Sequence, residues 1–167
     1  MAWNKNDEVI IEITDMGMDG NGIGHTEDGY TLFVKDTVIG DRVKVKVMKA
    51  KKNYGFARLT EVISPSEHRV EAVCPVARQC GGCQLMNMSY ERQKQYKEDK
   101  ILNCLTRIGS FDEAFLKKRK DSFLGMEFPY FYRNKALFPV GMGKDGKCSI
   151  GFYAGRTHSI VATDGCY

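Results

Sequence analysis

Residues 41–47 read Asp-Arg-Val-Lys-Val-Lys-Val, a strict alternation of polar and branched apolar side chains. A period of two is typical of a β-strand that buries one face and exposes the other. Related strand patterns lie on both sides of it, at residues 9–13, 31–34 and 54–62. Short strands at close spacing, with no helical period between them, predict a five-stranded OB-like β-barrel over residues 1–65.

A glycine-rich stretch, residues 17–24, separates the first two of these strands and reads GMDGNGIG. Its spacing differs from the G-x-G-x-x-G of dinucleotide-binding proteins, and no helical pattern follows it. We therefore interpret the whole stretch as a turn between barrel strands.

The window from Arg42 to Thr60 contains seven basic residues and no acidic one. The alternation places Lys44 and Lys46 on the solvent face, and two aromatic residues follow that offer stacking surfaces. Basic surfaces with interleaved aromatic residues are typical of single-stranded nucleic-acid binding. The alternative is that these lysines keep an exposed strand soluble and protect its edge. The candidate RNA-binding residues of the barrel are Arg42, Lys44, Lys46, Lys49, Lys51, Lys52, Tyr54, Phe56 and Arg58.

A second informative segment, residues 74–83, reads CPVARQCGGC. Three thiols this close together favour iron–sulfur clusters or zinc, and the paired glycines let the backbone fold tightly around such a group. Cys166, which follows a Thr-Asp-Gly turn, is the preferred fourth ligand. One close cysteine pair with a distant fourth cysteine suits a cubane cluster better than zinc, because structural zinc sites usually use two close pairs.

A Pro- and Ser-containing stretch at residues 63–66 ends the barrel pattern, and a helix is predicted from Ser89 to Gly109. Its apolar stripe is Ile101, Leu105 and Ile108, and we expect Cys104, one residue off that stripe, to be buried.

The last third of the chain returns to strand patterns, at residues 132–140, 149–153 and 159–162, with a hairpin loop at 141–146. Cys148 is interpreted as a packing residue. The sequence thus predicts a mainly β fold with some α, in which an α+β part follows the barrel. The three segments are the barrel at 1–65, a cysteine loop with a helix at 66–110, and the start of a central β domain at 111–167.

The composition sets wider limits. The chain has 167 residues, 43% hydrophobic content, six cysteines and a net charge of +4, which suits one or two packed domains. No apolar run approaches the roughly 20 residues of a membrane span, and the first residues lack a signal peptide pattern. We expect a cytoplasmic monomer without membrane contact, in which cysteines bind metal before they form disulfides.

Several motifs resemble known families. The barrel resembles a TRAM domain through GNGIGH at 20–25, LFVKDTVIGDRV at 32–43 and SPSEHRV at 64–70. The run CPVARQCGGCQLMNMSYERQ resembles the iron–sulfur segment of bacterial 5-methyluridine RNA methyltransferases, and FYRNKALFPV and GFYAGRTHSIVATDGCY resemble the start of that family's central domain.

The resemblance implies a 4Fe–4S cluster held by Cys74, Cys80, Cys83 and Cys166, S-adenosylmethionine as the methyl donor in the longer parent protein, and large-subunit ribosomal RNA as the partner. Arg133, Asn134 and Lys135 match the family's basic motif, where a role near RNA is implied. Family members continue into a Rossmann-type methyltransferase domain that carries the nucleophilic cysteine, the base and the donor site. No residue here matches that nucleophile, so no catalytic residue is assigned.

We therefore expect an RNA-recognition and cluster-binding part of a uracil-5 methyltransferase that does not turn over alone. The alternative is a stand-alone zinc-stabilised RNA-binding module with no catalytic role. A radical methylthiotransferase is disfavoured, because its cluster motif is C-x3-C-x2-C and its TRAM domain lies at the other end of the chain.

Overall fold

The computed structural model describes residues 3–143, 146–155 and 157–167. They form one compact unit made of Met1–Met88 with Arg133–Tyr167, and a second made of Ser89–Tyr132. This division cuts across the three segments expected from the sequence, because the cysteine run and the helix after it fall in different units. No helix in the described part of the chain is long and apolar enough to cross a membrane.

The barrel is confirmed as a closed five-stranded sheet in the order β1-β2-β3-β5-β4. Its strands are β1 (Glu8–Met16), β2 (Gly22–His25), β3 (Thr31–Lys35), β4 (Arg42–Ala50) and β5 (Tyr54–Ser64). Neighbouring strands are antiparallel except β3 and β5, which close the barrel as a parallel pair.

The barrel core follows from the period-two pattern. The inward residues of the alternating strands are fully or nearly fully buried, and the solvent-facing positions between them carry polar groups, except Phe33 on β3. Each such Val, Leu or Ile contributes roughly 1.5–3 kcal/mol when its side chain leaves water. The core cluster consists of Ile11, Ile13, Leu32, Val34, Val43, Val45, Val47 and Ala57.

The prediction of one long turn at residues 17–24 was wrong in part. A turn spans Gly17 to Gly20, where Gly20 has a φ of 75° that favours glycine, but Gly22–His25 is strand β2. Glycine suits β2 because a Cβ on Gly24 would lie 2.5 Å from the carbonyl oxygen of Glu12 on β1. Glycine is a turn signal in the sequence pattern, but here its small size permits the close approach of β2 to β1.

The second unit contains helices α1 (Tyr90–Arg107) and α2 (Glu113–Arg119). Ser89 is the N-cap of α1, as predicted, although its side chain makes no capping hydrogen bond. The predicted apolar stripe is not buried, since Ile101 is 53% and Ile108 81% exposed. The expectation that Cys104 is buried was wrong for the same reason: nothing in this unit covers that side of α1, and the thiol is exposed.

The C-terminal residues form a three-stranded antiparallel sheet, β6 (Val140–Met142), β7 (Cys148–Tyr153) and β8 (Ile160–Ala162). The strands predicted at 149–153 and 159–162 are confirmed. The strand predicted at 132–140 was wrong except at its last residue, because Pro139 lacks an N–H donor and the residues before it pair with no described strand.

The hairpin between β6 and β7 is confirmed, with Gly146 at a φ of 76°, while Lys144 and Asp145 lie outside the described residues. Cys148 begins β7 but is exposed, so its interpretation as a packing residue was wrong. It pairs with Met142 of β6 at the start of the central strand, and its neighbours Val140, Met142 and Ile150 are also exposed.

Candidate metal centre and nucleic-acid interface

The cysteine segment, residues 66–88, is attached to the barrel through a buried carboxylate. Asp41 is fully buried and accepts hydrogen bonds from the backbone N–H groups of Val38 at 2.6 Å and Ser66 at 2.9 Å. Arg69 donates to both of its oxygens, at 3.0 and 2.5 Å. Burial alone would raise the pKa of Asp41, but these donors outweigh it and hold the pKa below its ordinary value.

A second polar contact lies at Asp36, which adopts a φ of 64° at the end of β3. Its carbonyl oxygen accepts from Arg69 at 3.1 Å and from the Asn87 side chain at 3.2 Å, so one loop residue binds both ends of the cysteine segment. Its carboxylate lies 3.5 Å from Arg78. Polar groups therefore attach both ends of the segment to the barrel.

The structure brings the four predicted ligands together. Cys74, Cys80, Cys83 and Cys166 line a single cavity, although the last is separated from the others by more than eighty residues of chain. Cys80 is buried and the other three are half-buried. Burial raises the pKa of the Cys83 thiol, and the thiols of Cys166, Cys80 and Cys74 raise it further. A cationic or metal-containing group would offset that mutual repulsion of thiolates.

Backbone contacts fix the cysteine loop against the C-terminal sheet. Cys80 pairs with Ala154 in an isolated β-bridge, and Gly81 N–H donates to the carbonyl oxygen of Tyr153 at 3.0 Å. A Cβ on Gly81 would meet the Gly155 Cα at 3.0 Å, so glycine is needed for this close approach. Gly82 N–H donates to the Cys80 sulfur at 3.3 Å.

The remaining cysteines lie outside this cavity, since Cys104 belongs to the second unit and Cys148 is exposed at the start of β7. Among residues 3–143, 146–155 and 157–167, no group of three or more Cys, His, Asp or Glu side chains is arranged to hold a single metal ion.

The three residues of the basic motif separate in the structure. Arg133 lines the thiol cavity, and its charge lowers the pKa of Cys83 against the larger raising effects. Asn134 and Lys135 are exposed. No spacing signal predicts that Arg133 lies beside the cysteines, because it follows Cys83 by fifty positions in the chain.

The basic residues of β4 and β5 lie on the outer face of the barrel, as predicted. Lys44 is not a free cation, because it forms an ion pair with Glu8 at 2.8 Å on the neighbouring strand β1. That pair lowers the pKa of Glu8 and raises the pKa of Lys44. Exposed pairs of this kind contribute little to stability, but they reduce the charge that Lys44 offers to an anion.

Aromatic residues lie on the same outer face of the barrel. Phe33, Tyr54 and Phe56 form one cluster on β3 and β5, with ring centroids 5.6 to 5.8 Å apart, and all three are half-buried. Lys51 lies over the Tyr54 ring at 4.9 Å. Phe33 was missed at the sequence level, yet its alternation with buried Leu32 and Val34 was a signal that it faces outward. Aromatic faces beside cations suit stacked bases and phosphates.

Comparisons with known proteins agree with this architecture. Residues 2–60 match the model of the TRAM domain. Over 163 residues the chain is 42% identical to a Clostridium acetobutylicum protein and 45% identical to a Halalkalibacterium halodurans protein, both named "Uncharacterized RNA methyltransferase". These matches cover 98% of this chain, 35% of the first relative and 34% of the second.

A conserved protein of Methanococcus maripaludis, solved in solution, is 33% identical over 35% of this chain and 81% of its own length, with a TM-score of 0.33. The chain spans about a third of the length of the curated relatives that it matches. Its barrel is a TRAM domain, and the chain as a whole is similar in sequence to these bacterial proteins named RNA methyltransferases.

Proposed function

We propose that this chain recognises RNA and binds a 4Fe–4S cluster within a methyltransferase that uses S-adenosylmethionine to form 5-methyluridine in ribosomal RNA. The observation that carries the proposal is the cavity lined by Cys74, Cys80, Cys83 and Cys166. The family of named RNA methyltransferases and the TRAM domain support the RNA and methyl-transfer parts.

The four thiols fit an iron–sulfur cluster in their chemistry, because soft thiolate ligands select iron–sulfur clusters and zinc over harder cations. When bound, such a cluster supplies iron–thiolate bonds that join the cysteine loop to the C-terminal residues. The residues of the chain contribute the rest: Gly82 N–H donates to a ligand sulfur, and the bridge between Cys80 and Ala154 fixes the loop. We infer a structural role, in which metal binding stabilises the fold.

RNA recognition is assigned to the outer face of the barrel. Lys46 and Arg58 lie opposite each other on β4 and β5, where two like charges destabilise an antiparallel pair unless an anion lies between them. The aromatic cluster lies on the same face. Phosphates therefore bind the cations, while unpaired bases contact the rings.

The binding test is fluorescence anisotropy of labelled ribosomal RNA fragments with this chain, at several salt concentrations. Lys46→Gln and Arg58→Gln are each expected to reduce the slope of log affinity against log salt by about 0.7, the value for one phosphate contact on a single strand. Lys117→Gln is the matched control, because Lys117 is already paired with Glu113 at 2.7 Å in α2. Equal slopes for all variants would contradict the assigned face.

The methyl-transfer test uses a protein that spans the full length of the relatives. We expect it to transfer methyl groups from S-adenosylmethionine to ribosomal RNA, with 5-methyluridine as the product in mass spectra of the digested RNA. A methylated cytidine or a ribose-methylated product would overturn the uracil-5 assignment.

A further inference from the structure

A groove of about 420 Å³ lies between the outer face of the barrel and the cysteine segment. Its barrel side is formed by Phe33, Phe56 and Met48, and its opposite side by Gly81, Gln84 and Gly155. This volume lies in the range of sites for small organic groups, and the apolar floor with polar walls is typical of them. Of the candidate site residues assigned above from the sequence, Phe56 and Cys80 line this groove.

The strand register places two rows of side chains on the barrel face beside the groove, of which Phe33, Phe56 and Lys35 line the groove itself. Phe33 on β3 pairs in register with Phe56 on β5, which makes an aromatic row. Two residues further along each strand, Lys35 pairs with Arg58, and Arg58 pairs in turn with Lys46 on β4. The cations thus form a second row, roughly 6.6 Å from the aromatic row at the usual rise per strand residue.

The aromatic row is a supported surface. The Phe33 and Phe56 rings are tilted by 31°, with centroids 5.6 Å apart, and Tyr54 packs with its ring edge-on to both. Tyr54 therefore positions the two rings, and both remain half-exposed. A flat π-system from solution gains contact with them without displacing a packed neighbour.

The cation row is only partly neutralised. Lys35 donates to the carbonyl oxygen of Arg78 at 3.3 Å and lies 4.0 Å from Asp36, at the limit of an ion pair. Arg58 is exposed and forms no ion pair within the part of the chain that the structure describes. The row therefore offers positive charge to an anion beside the aromatic surface. Asp19, the acidic group in the groove, already accepts from Asn21 at 2.6 Å.

We propose that this groove binds one unpaired nucleobase of a single-stranded RNA segment against Phe33 and Phe56, with the adjacent phosphate on the row Lys35, Arg58 and Lys46. The inference rests on the RNA binding proposed above and assigns it a stacking site. A nucleotide presents an apolar ring face and a phosphate at neighbouring positions, which matches the aromatic row beside the cation row.

The absence of side chains at Gly81 and Gly155 keeps the far side of the groove open, and this allows a direct test. A Cβ on Gly155 would meet the Gly81 Cα at 3.8 Å and the Lys35 ammonium at 3.9 Å, which are ordinary contacts. Gly155→Leu is therefore expected to fill the groove without straining the backbone. A substitution at Gly81 is unsuitable, because its Cβ would lie 3.0 Å from backbone.

The experiment compares a labelled RNA hexamer with the same hexamer lacking its bases, by fluorescence anisotropy with the full chain. The wild-type chain is expected to bind the base-bearing hexamer roughly tenfold more tightly, and Phe56→Leu, Phe33→Leu and Gly155→Leu to lose that difference. Arg58→Gln is expected to weaken binding of both hexamers to the same degree. Circular dichroism melting verifies that each variant is folded.

Phe128→Leu is the matched control, since Phe128 is a 63% exposed aromatic residue of the second unit and does not line the groove. It is expected to keep the wild-type difference. Equal binding of the two hexamers by the wild-type chain, or a full difference in folded Phe56→Leu and Gly155→Leu, would overturn the stacking site while RNA binding stands. Binding of neither hexamer would overturn RNA binding and the stacking site together.

Discussion

The barrel and the cysteine segment belong to one compact unit, yet different forces hold them. The barrel surrounds a cluster of eight buried apolar residues, whereas residues 69–88 contribute two buried apolar side chains, Cys80 and Met88. The cysteine segment instead depends on hydrogen bonds to Asp36 and Asp41 and on the thiol cavity. A segment with so little apolar burial needs another source of stability, and a metal cluster is the source that we propose.

The largest expected effect is on the barrel core. Leu32→Ala removes a fully buried side chain, and the cavity that it leaves should lower the free energy of unfolding by about 2–5 kcal/mol. Chemical denaturation followed by circular dichroism measures this loss. The control is Ile108→Ala at an 81% exposed position, where the change should stay within about 0.5 kcal/mol. Similar losses at the two positions would mean that the barrel core is not the dominant source of stability.

A smaller effect is expected where the cysteine segment joins the barrel. Asp41→Asn leaves Arg69 without its buried partner, and we expect a loss of about 2–3 kcal/mol at neutral pH. Glu8→Gln breaks an exposed ion pair and is the control, with a small change expected. Denaturation curves of both variants compare the contribution of the buried carboxylate to the unfolding free energy with that of the exposed one. An equal effect would contradict the importance of the Asp41 contact.

The same carboxylate predicts a pH dependence. Because the folded pKa of Asp41 is lowered, its contribution is complete above the unfolded value of about 3.9 and is lost as the pH falls through the lower folded value. The unfolding free energy of the wild type should therefore fall more steeply with acid in this range than that of Asp41→Asn. Melting temperatures between pH 5 and pH 2 test this, and parallel curves would contradict it.

The smallest effect is expected at the cysteines outside the cavity. Cys104→Ser and Cys148→Ser change exposed thiols, so stability should change by no more than about 0.5 kcal/mol and metal content should not change. Metal analysis and thermal melts of both variants check this. Loss of metal in either variant would show that the ligand set assigned here is incomplete.

The alternation of residues predicted the barrel well, because three of its five strand pairings join neighbours in sequence and the alternation decides which face is buried. Strand β2 was not predicted, because its glycines resemble those of a turn, although they permit close packing against β1. The exposure of Cys104 and the lack of a strand before Pro139 could not be predicted, since both depend on which residues pack against them in space. The spacing of Cys74, Cys80 and Cys83 predicted three residues of the cavity. Cys166 was predicted from the turn that precedes it and from the family resemblance.

The most direct test of the central claim is the content of iron, sulfide and zinc in protein purified without oxygen, together with its visible absorption spectrum. We predict about four irons and four sulfides per chain with a broad brown absorbance, which Cys166→Ser and Cys83→Ser lose and Cys104→Ser retains. One zinc per chain in a colourless sample would contradict the cluster and favour a zinc-stabilised RNA-binding module.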